Sequence, residues 1–317
     1  MHTAIASQAS NDSAQFDAPS ALRLRELARL IERHAPGEGI HETAIPGVCA
    51  IRMCEASAEM VHATHQPAVC VIAQGAKRVM LHNEVYAYDA SRFLIFSVDL
   101  PIGAQITAAT ADAPYLCFRL DLDPREIAAL LLKSGTPVAA QRDSSRGLYL
   151  SRTSDAMLDA VIRLMRLLDT PADAAALAPL AVQEILYHLL KSDEGELLAR
   201  IGRSDSHAHR IARVITWLKN HFAEPLRIEH LAGEAHMSVS SLHHHFKAVT
   251  AMSPLQFQKH LRLQEARRLM LSQNLDAGEA GYRVGYEDQS HFSRDYKRHF
   301  GEPPMRDVER LRELAMA

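Results

Sequence analysis

Two domains of mixed α+β class are what this chain predicts: a β-sandwich or small barrel followed by a helical pair, then an all-helical domain. Three observations carry that expectation. The chain has 317 residues, enough for two domains of ordinary size. Short β-prone runs punctuated by Gly, Pro, Asn and Asp fill Ile40–Asp121. From Arg210 onward apolar residues recur at helical spacing in short pieces. The composition, 47% hydrophobic and 23% charged, is that of a globular chain and excludes a disordered, collagenous or low-complexity one. The longest nearly unbroken apolar run, Ala174–Val182, falls well short of the roughly 20 residues that span a bilayer, so no membrane partner is expected. Met1–Asp17 lacks the basic start and apolar core of a signal peptide, so a cytoplasmic, reducing location is expected. There Cys49, Cys54, Cys70 and Cys117, whose spacing fits no zinc template, read as small buried apolar residues.

Each element has its own warrant. Residues 1–20 are small and polar and read as a disordered arm. Ala21–Arg33 places Leu22, Leu27, Leu30 and Ile31 on one side of a helix. The strands expected are Val48–Met53, Val69–Ala73, Arg78–Leu81, Val85–Tyr88, Phe93–Phe96, Gln105–Ala108 and Tyr115–Leu120, with Pro101 among the turn residues between them. Asp123-Pro124 is a cap and first-turn pair that starts a helix over Pro124–Leu132. Ser154–Leu168 and Ala176–Lys191 carry wide apolar faces, and the turn Asp169–Asp173 between them favours an antiparallel pair. Such a face serves equally as core against the barrel or as the interface of a homodimer. The front domain is thus 21–195, a linker runs over 196–208, and the helical domain occupies 209–310.

The helical part is charged differently from the rest. From His207 on there are 16 basic and 13 acidic residues, and before it 19 basic and 25 acidic. An internal repeat lies in the same region. Leu231-Ala232, His236-Met237, Leu242, Phe246-Lys247 and Pro254 recur as Ala280-Gly281, Gly285-Tyr286, Phe292, Tyr296-Lys297 and Pro304. Each copy is a short helix, a tight turn and a second helix, the pattern in which the second helix enters a major groove. In the first copy Ser240, His243, His244 and Lys247 stand at i, i+3, i+4 and i+7, apart from the apolar Leu242, Phe246 and Val249. In the second, Ser290, Ser293, Arg294 and Lys297 repeat the stripe, with Gln289 just ahead and Phe292 and Tyr296 inward. A merely solvated face has no reason to recur; short donors and acceptors with one arginine suit base edges. Between the copies, Pro254–Ser272 forms a stiff helix of roughly 28 Å at ~1.5 Å per residue, near the ~34 Å of one turn of B-DNA.

These residues resemble a known family. His209–Asp307 is similar to the DNA-binding domain of AraC/XylS-type bacterial transcriptional regulators. The resemblance rests on Leu231-Ala232, Met237-Ser238, Leu242, Phe246-Lys247, Ser253-Pro254-Leu255-Gln256-Phe257, Leu261-Arg262-Leu263, Ala266-Arg267, the string Val284–Arg298, and Phe300-Gly301-Glu302-Pro303-Pro304. Val69–Thr107 is similar to the N-terminal domain of one subgroup, which is cupin-like. The resemblance implies a sequence-specific transcriptional regulator. It implies base-reading roles for Ser240, His243, His244, Gln289, Ser290, Ser293 and Arg294, and phosphate contacts for Lys247, Lys297 and Arg298. The partners implied are double-stranded DNA, a small-molecule effector of unnamed chemistry, a second copy of the chain and, for an activator, RNA polymerase.

Three features depart from the family pattern. Ala251 stands where glycine is usual after the first reading helix, and alanine is strained there if the backbone is left-handed. Gly278 and Gly281 each cost the second copy's short first helix about 1 kcal/mol relative to alanine. Glu287 and Asp288 precede the second reading helix, where Asp288 suits a cap. His243-His244-His245 does not read as a metal site, because adjacent helical positions diverge by about 100°. Neither do His62 and His65, which lack a carboxylate to complete a facial triad and read as solvated or capping groups. No catalytic residues, cofactor or metal are therefore expected, and an enzymatic barrel fused to a DNA-targeting domain ranks behind a regulator, as does a constitutive DNA-binding protein.

Overall fold

The computed structural model describes residues 18–134, 146–192, 195–203 and 206–316. The arm expected over 1–20 lies outside them except for its last three residues, which open the first helix, α1 (Ala18–His34). Two antiparallel sheets face one another. The six-stranded sheet runs in the order β1 (Gly39–Glu42), β2 (Val48–Met53), β9 (Tyr115–Asp121), β4 (Ala68–Gln74), β7 (Arg92–Phe96), β10 (Leu148–Arg152). The four-stranded sheet runs β3 (Val61–His65), β8 (Leu100–Ala108), β5 (Ala76–Leu81), β6 (Glu84–Asp89).

Alternation along the strands sets which layer each residue joins. In β4, Val69 and Val71 point to one core while Cys70 and Ile72 point to another. β9 divides in the same way, with Leu116, Phe118 and Leu120 against Tyr115 and Cys117, and so does β7, with Phe93 and Ile95 against Leu94 and Phe96. These three strands are buried on both faces, which is why they read as continuous apolar runs. The outer core is closed by α1, α2 (Pro124–Ser134), α3 (Asp155–Arg166), α4 (Pro171–Lys191) and α5 (Gly195–Gly202). The inner core lies between the sheets and continues into the helical domain. Cys49, Cys70 and Cys117 are buried, whereas Cys54 is half-exposed.

Several expectations need correction. β1, β3 and β10 lie outside the expected strands; all three are sheet edges, where one side of the ladder is unpaired and polar residues intrude. Pro101 lies inside β8 rather than at a turn, opposite Thr64 of β3 and beyond the part of β8 that pairs with β5, so its missing N–H costs no ladder bond there. Leu22 is 62% exposed, outside the apolar face of α1. The turn between the helical pair is itself ordered: a 3-10 turn at Leu167–Asp169 leads into α4, with Pro171 in its first turn. The stretch expected as a linker over 196–208 is mostly helix. Leu198, Ala199 and Ile201 of α5 are buried in the outer core, so Gly195–Gly202 belongs to the front domain's packing.

The helical domain is built from α6 (His207–Asn220), α7 (Ile228–Glu234), α8 (Val239–Thr250), α9 (Pro254–Gln273), α10 (Ala277–Arg283), α11 (Gln289–Phe300) and α12 (Pro304–Met316). α9 is the spacer, 20 residues long and so about 30 Å. A Ser253–Gln256 capping box starts it. Its Arg262 donates to the carbonyls of Phe222 and Gly285 at 2.6 and 2.8 Å, joining the two helix-turn-helix units.

Candidate nucleic-acid interface

The repeat seen in the sequence holds to the level of single backbone groups. In both units a left-handed residue makes the turn, His236 at φ +50° and Gly285 at φ +91°. In both, the next amide bonds back five residues at 2.9 Å, Met237 to the Ala232 carbonyl and Tyr286 to the Gly281 carbonyl. Each second helix then opens on a side-chain cap. Ser238 accepts from Ser241 N–H at 3.2 Å, and Asp288 accepts from His291 N–H at 2.6 Å. Each closes on a left-handed residue, Ala251 at φ +62° and Gly301 at φ +88°, whose amide bonds the carbonyl of Lys247 or Lys297 at 2.9 or 2.8 Å. The alanine is therefore in the strained conformation considered from the sequence.

Glycine is needed at Gly285 on two counts. Its φ is positive, and a Cβ there would lie 2.1 Å from the Ala223 carbonyl oxygen. Gly281 is also more than a weak helix former. A Cβ would sit 3.0 Å from the Phe292 ring, so its absence lets α10 lie close on α11.

Leu242, Phe246 and Val249 are buried on α8, and Phe292 and Tyr296 on α11. Opposite them, Ser240, His243, His244 and Lys247 are exposed on α8. On α11, Gln289, Ser290, Arg294, Lys297 and Arg298 are exposed and Ser293 is half-buried. Arg298 departs slightly from the stripe: its guanidinium is 4.0 Å from Asp295 and it lines a cleft facing the front domain. His245 turns toward α6, although its ring still meets that of His244 edge-on at 5.1 Å. Its ring stacks on His207 of α6 at a centroid distance of 3.9 Å, leaving His243 and His244 at the surface.

Buried charge stiffens the second unit. Asp307 on α12 is fully buried and accepts from Arg267, Arg310 and the Tyr296 hydroxyl at 2.8, 2.7 and 2.7 Å. Burial, together with this hydrogen bond, raises the Tyr296 hydroxyl far above its ordinary range. Asp295, also buried, is held by Lys259 of α9 at 2.9 Å.

Sequence reasoning misjudged two histidines. His62 and His65 on β3 are neither solvated nor capping. His65 stacks on Phe96 at 5.0 Å, and burial pushes it down to about 3. His62 meets His299 and Phe300 of the helical domain. The available signal was the alternation Val-His-Ala-Thr-His, which marks a strand whose alternate side chains share a face. Ile72, Leu81, Phe96 and Tyr115 are buried between the sheets. Clefts of about 430 to 490 Å³ lie at the N-terminal part of α4, between β8 and α9/α11, and along α6.

A β-sandwich joined to paired helix-turn-helix units with matching exposed stripes defines a DNA-binding transcriptional regulator. Comparison with known proteins gives the family. Residues 44–197 match the AraC-type transcriptional regulator N-terminus, and residues 231–310 match a helix-turn-helix domain. The chain belongs to the AraC-type transcriptional regulators. It is 30% identical over 162 residues to the HTH-type transcriptional activator RhaS of Salmonella arizonae, a match covering 51% of this chain and 58% of that protein. The chain thus spans little more than half the length of the curated relatives it matches. ToxT of Vibrio cholerae shares the fold over both domains. The apo structure of a single-site ToxT variant superposes with a TM-score of 0.54 at 10% identity, covering 84% of this chain and 98% of that one. A ToxT structure bound to an unsaturated fatty acid gives 0.51 at 11% identity, covering 82% of this chain and 94% of that one. Among the described residues no helix is long and apolar enough to cross a membrane.

Proposed function

We propose that this regulator recognises a specific duplex by placing α8 and α11 in successive major grooves on one face of the DNA. The observation that carries the reading is the exposed polar stripe repeated on both helices, joined by a spacer of about one duplex turn. Ser240, His243, His244, Gln289, Ser290, Ser293 and Arg294 read base edges. Lys247, Lys297 and Arg298 hold phosphates and set the salt dependence. The front domain, extended to include α5, senses a small-molecule effector. The fatty acid bound in one ToxT structure supports looking for such a ligand here.

Effector binding changes DNA affinity only through its preference for one placement of the domains over another. The chain acts in the cytoplasm as a homodimer and has no enzymatic activity. For dimerisation we favour the outer side of α4, where Leu177, Leu180 and Tyr187 stand 45%, 59% and 42% exposed. RNA polymerase is a further partner if the protein activates transcription.

The test starts with selection of bound sites from a random duplex pool. On the selected site, Arg294→Ala relaxes preference at one base pair and costs about 1–3 kcal/mol. Lys297→Ala weakens all sequences alike and lowers the salt slope by about one. Equal effects of both variants on every sequence contradict the assignment.

A further inference from the structure

The second unit rests on the outer side of the four-stranded sheet through a cluster of imidazoles. His62 of β3, His260 of α9 and His299 of α11 converge there. Ring centroids are 4.9 Å apart for His62 and His299, and 4.4 Å apart for His260 and His299. Phe300 meets His62 edge-on at 5.5 Å. The three histidines line one wall of the roughly 430 Å³ cleft between the domains. Nε2 of His299 is buried and has no hydrogen-bond partner among the described residues.

The acidic groups around the cluster are already paired, although Asp307 partly favours the charged form of His62. From α11, Asp295 is already engaged by Lys259, with His291 at 3.4 Å and Arg298 at 4.0 Å from it. From α12, Asp307 is taken by Arg267 and Arg310. From the loop before β3, Glu59 is paired with Arg310. His82, at the β5–β6 turn, lines the same cleft and adds a further titratable base. Burial, reinforced by neighbouring cations, holds His260 down at about 4 and His299 at about 2, and lowers His62.

Polar ties also join the second unit to the sandwich. Thr64 donates to Gln264 at 2.7 Å, and Arg310 pairs with Glu59. The second unit's apolar core is separate from that of the sandwich, whereas the first unit's core is continuous with it.

We propose that His62, His260 and His299 form a pH-sensitive latch that holds the second helix-turn-helix unit against the sandwich near neutral pH and releases it on acidification. Undocked, these imidazoles face water and titrate near 6.5. Docked, they resist protonation. The docked arrangement therefore keeps its full stability above about pH 6.5 and loses it as pH falls toward 4. Between pH 7.5 and 5.5, His260 and His299 each shift the docked-to-released ratio about tenfold, roughly 100-fold together.

Hydrogen exchange of the full chain at these two pH values, corrected for intrinsic rates, tests the latch. The expected result is loss of protection in β3 and in the contacting parts of α9 and α11 at pH 5.5, with β4 and β9 unchanged. His260→Gln combined with His299→Gln should abolish most of that difference. Unchanged protection of the wild type, or the same pH response in the double variant, overturns the proposal. Small-angle scattering of the wild type gives a check that needs no variant. Its compact-to-extended ratio should fall with the uptake of about two protons per molecule, and a pH-independent ratio contradicts the latch.

Discussion

The two helix-turn-helix units share a backbone but are anchored in different ways. The first is fused to the sandwich. Phe246, Val249 and Leu231 share one apolar core with Leu81, Phe96 and Tyr115 of the strands. Gly147 donates its amide to the Val249 carbonyl at 2.8 Å, and Arg146 bridges Glu84 to the carbonyls of Lys247 and Ala248 at the C-terminal end of α8. Lys219 pairs with Asp99 at 2.7 Å. The second unit has its own core around Phe292, Tyr296 and Val308, braced by Asp307, and meets the sandwich through histidines. One motif is thus used twice, once as part of the front domain's interior and once as a detachable module. Packed side chains tie α8 to the front domain, whereas α11 meets it through the imidazole contact proposed above to weaken on acidification.

Substitutions can break this comparison. Asp307→Ala leaves Arg267 and the Tyr296 hydroxyl without their acceptor and Arg310 with Glu59 alone, and about 3–5 kcal/mol of the second unit's stability should go with it. Hydrogen exchange should then rise in α10–α12 while α6–α8 stay protected; equal loss in both units means they are one cooperative block. Gly147→Leu attacks the other anchor. A Cβ at Gly147 already lies 2.9 Å from Val98 and 3.2 Å from Val249, so the larger side chain should cost about 1–3 kcal/mol and loosen α8 first. The smallest effect sharpens the comparison at the two left-handed caps. Ala251→Gly should stabilise the protein by about 1 kcal/mol and Gly301→Ala should destabilise it by a similar amount, read as opposite shifts in thermal midpoint.

The sequence disclosed the helical half more fully than the front. The repeat exposed its own turn chemistry: His236 and Gly285 fell at matching places, and both are left-handed. Capping residues such as Ser238, Ser253 and Asp288 act locally, so their roles could be read one helix at a time. The central strands β4, β7 and β9 were legible because burial on both faces leaves an unbroken apolar run. The edges β1, β3 and β10 were not, because a half-paired strand tolerates polar residues. α5 was hidden by its Gly-Ser-Asp surroundings, although Leu198 and Ile201 carried the apolar spacing of a short helix. The interdomain role of His62 depends on His260 and His299, about 200 residues away, and no local pattern reports such a meeting.

Selection from a random duplex pool, run in parallel on the wild type, on His243→Ala with His244→Ala, and on Arg294→Ala, puts the two-groove arrangement to its most direct test. Each variant should blur a different short block of the selected site, and the blocks should lie about 10 base pairs apart. Loss of preference in one shared block, or a uniform loss across the site, contradicts recognition by two helices in successive grooves.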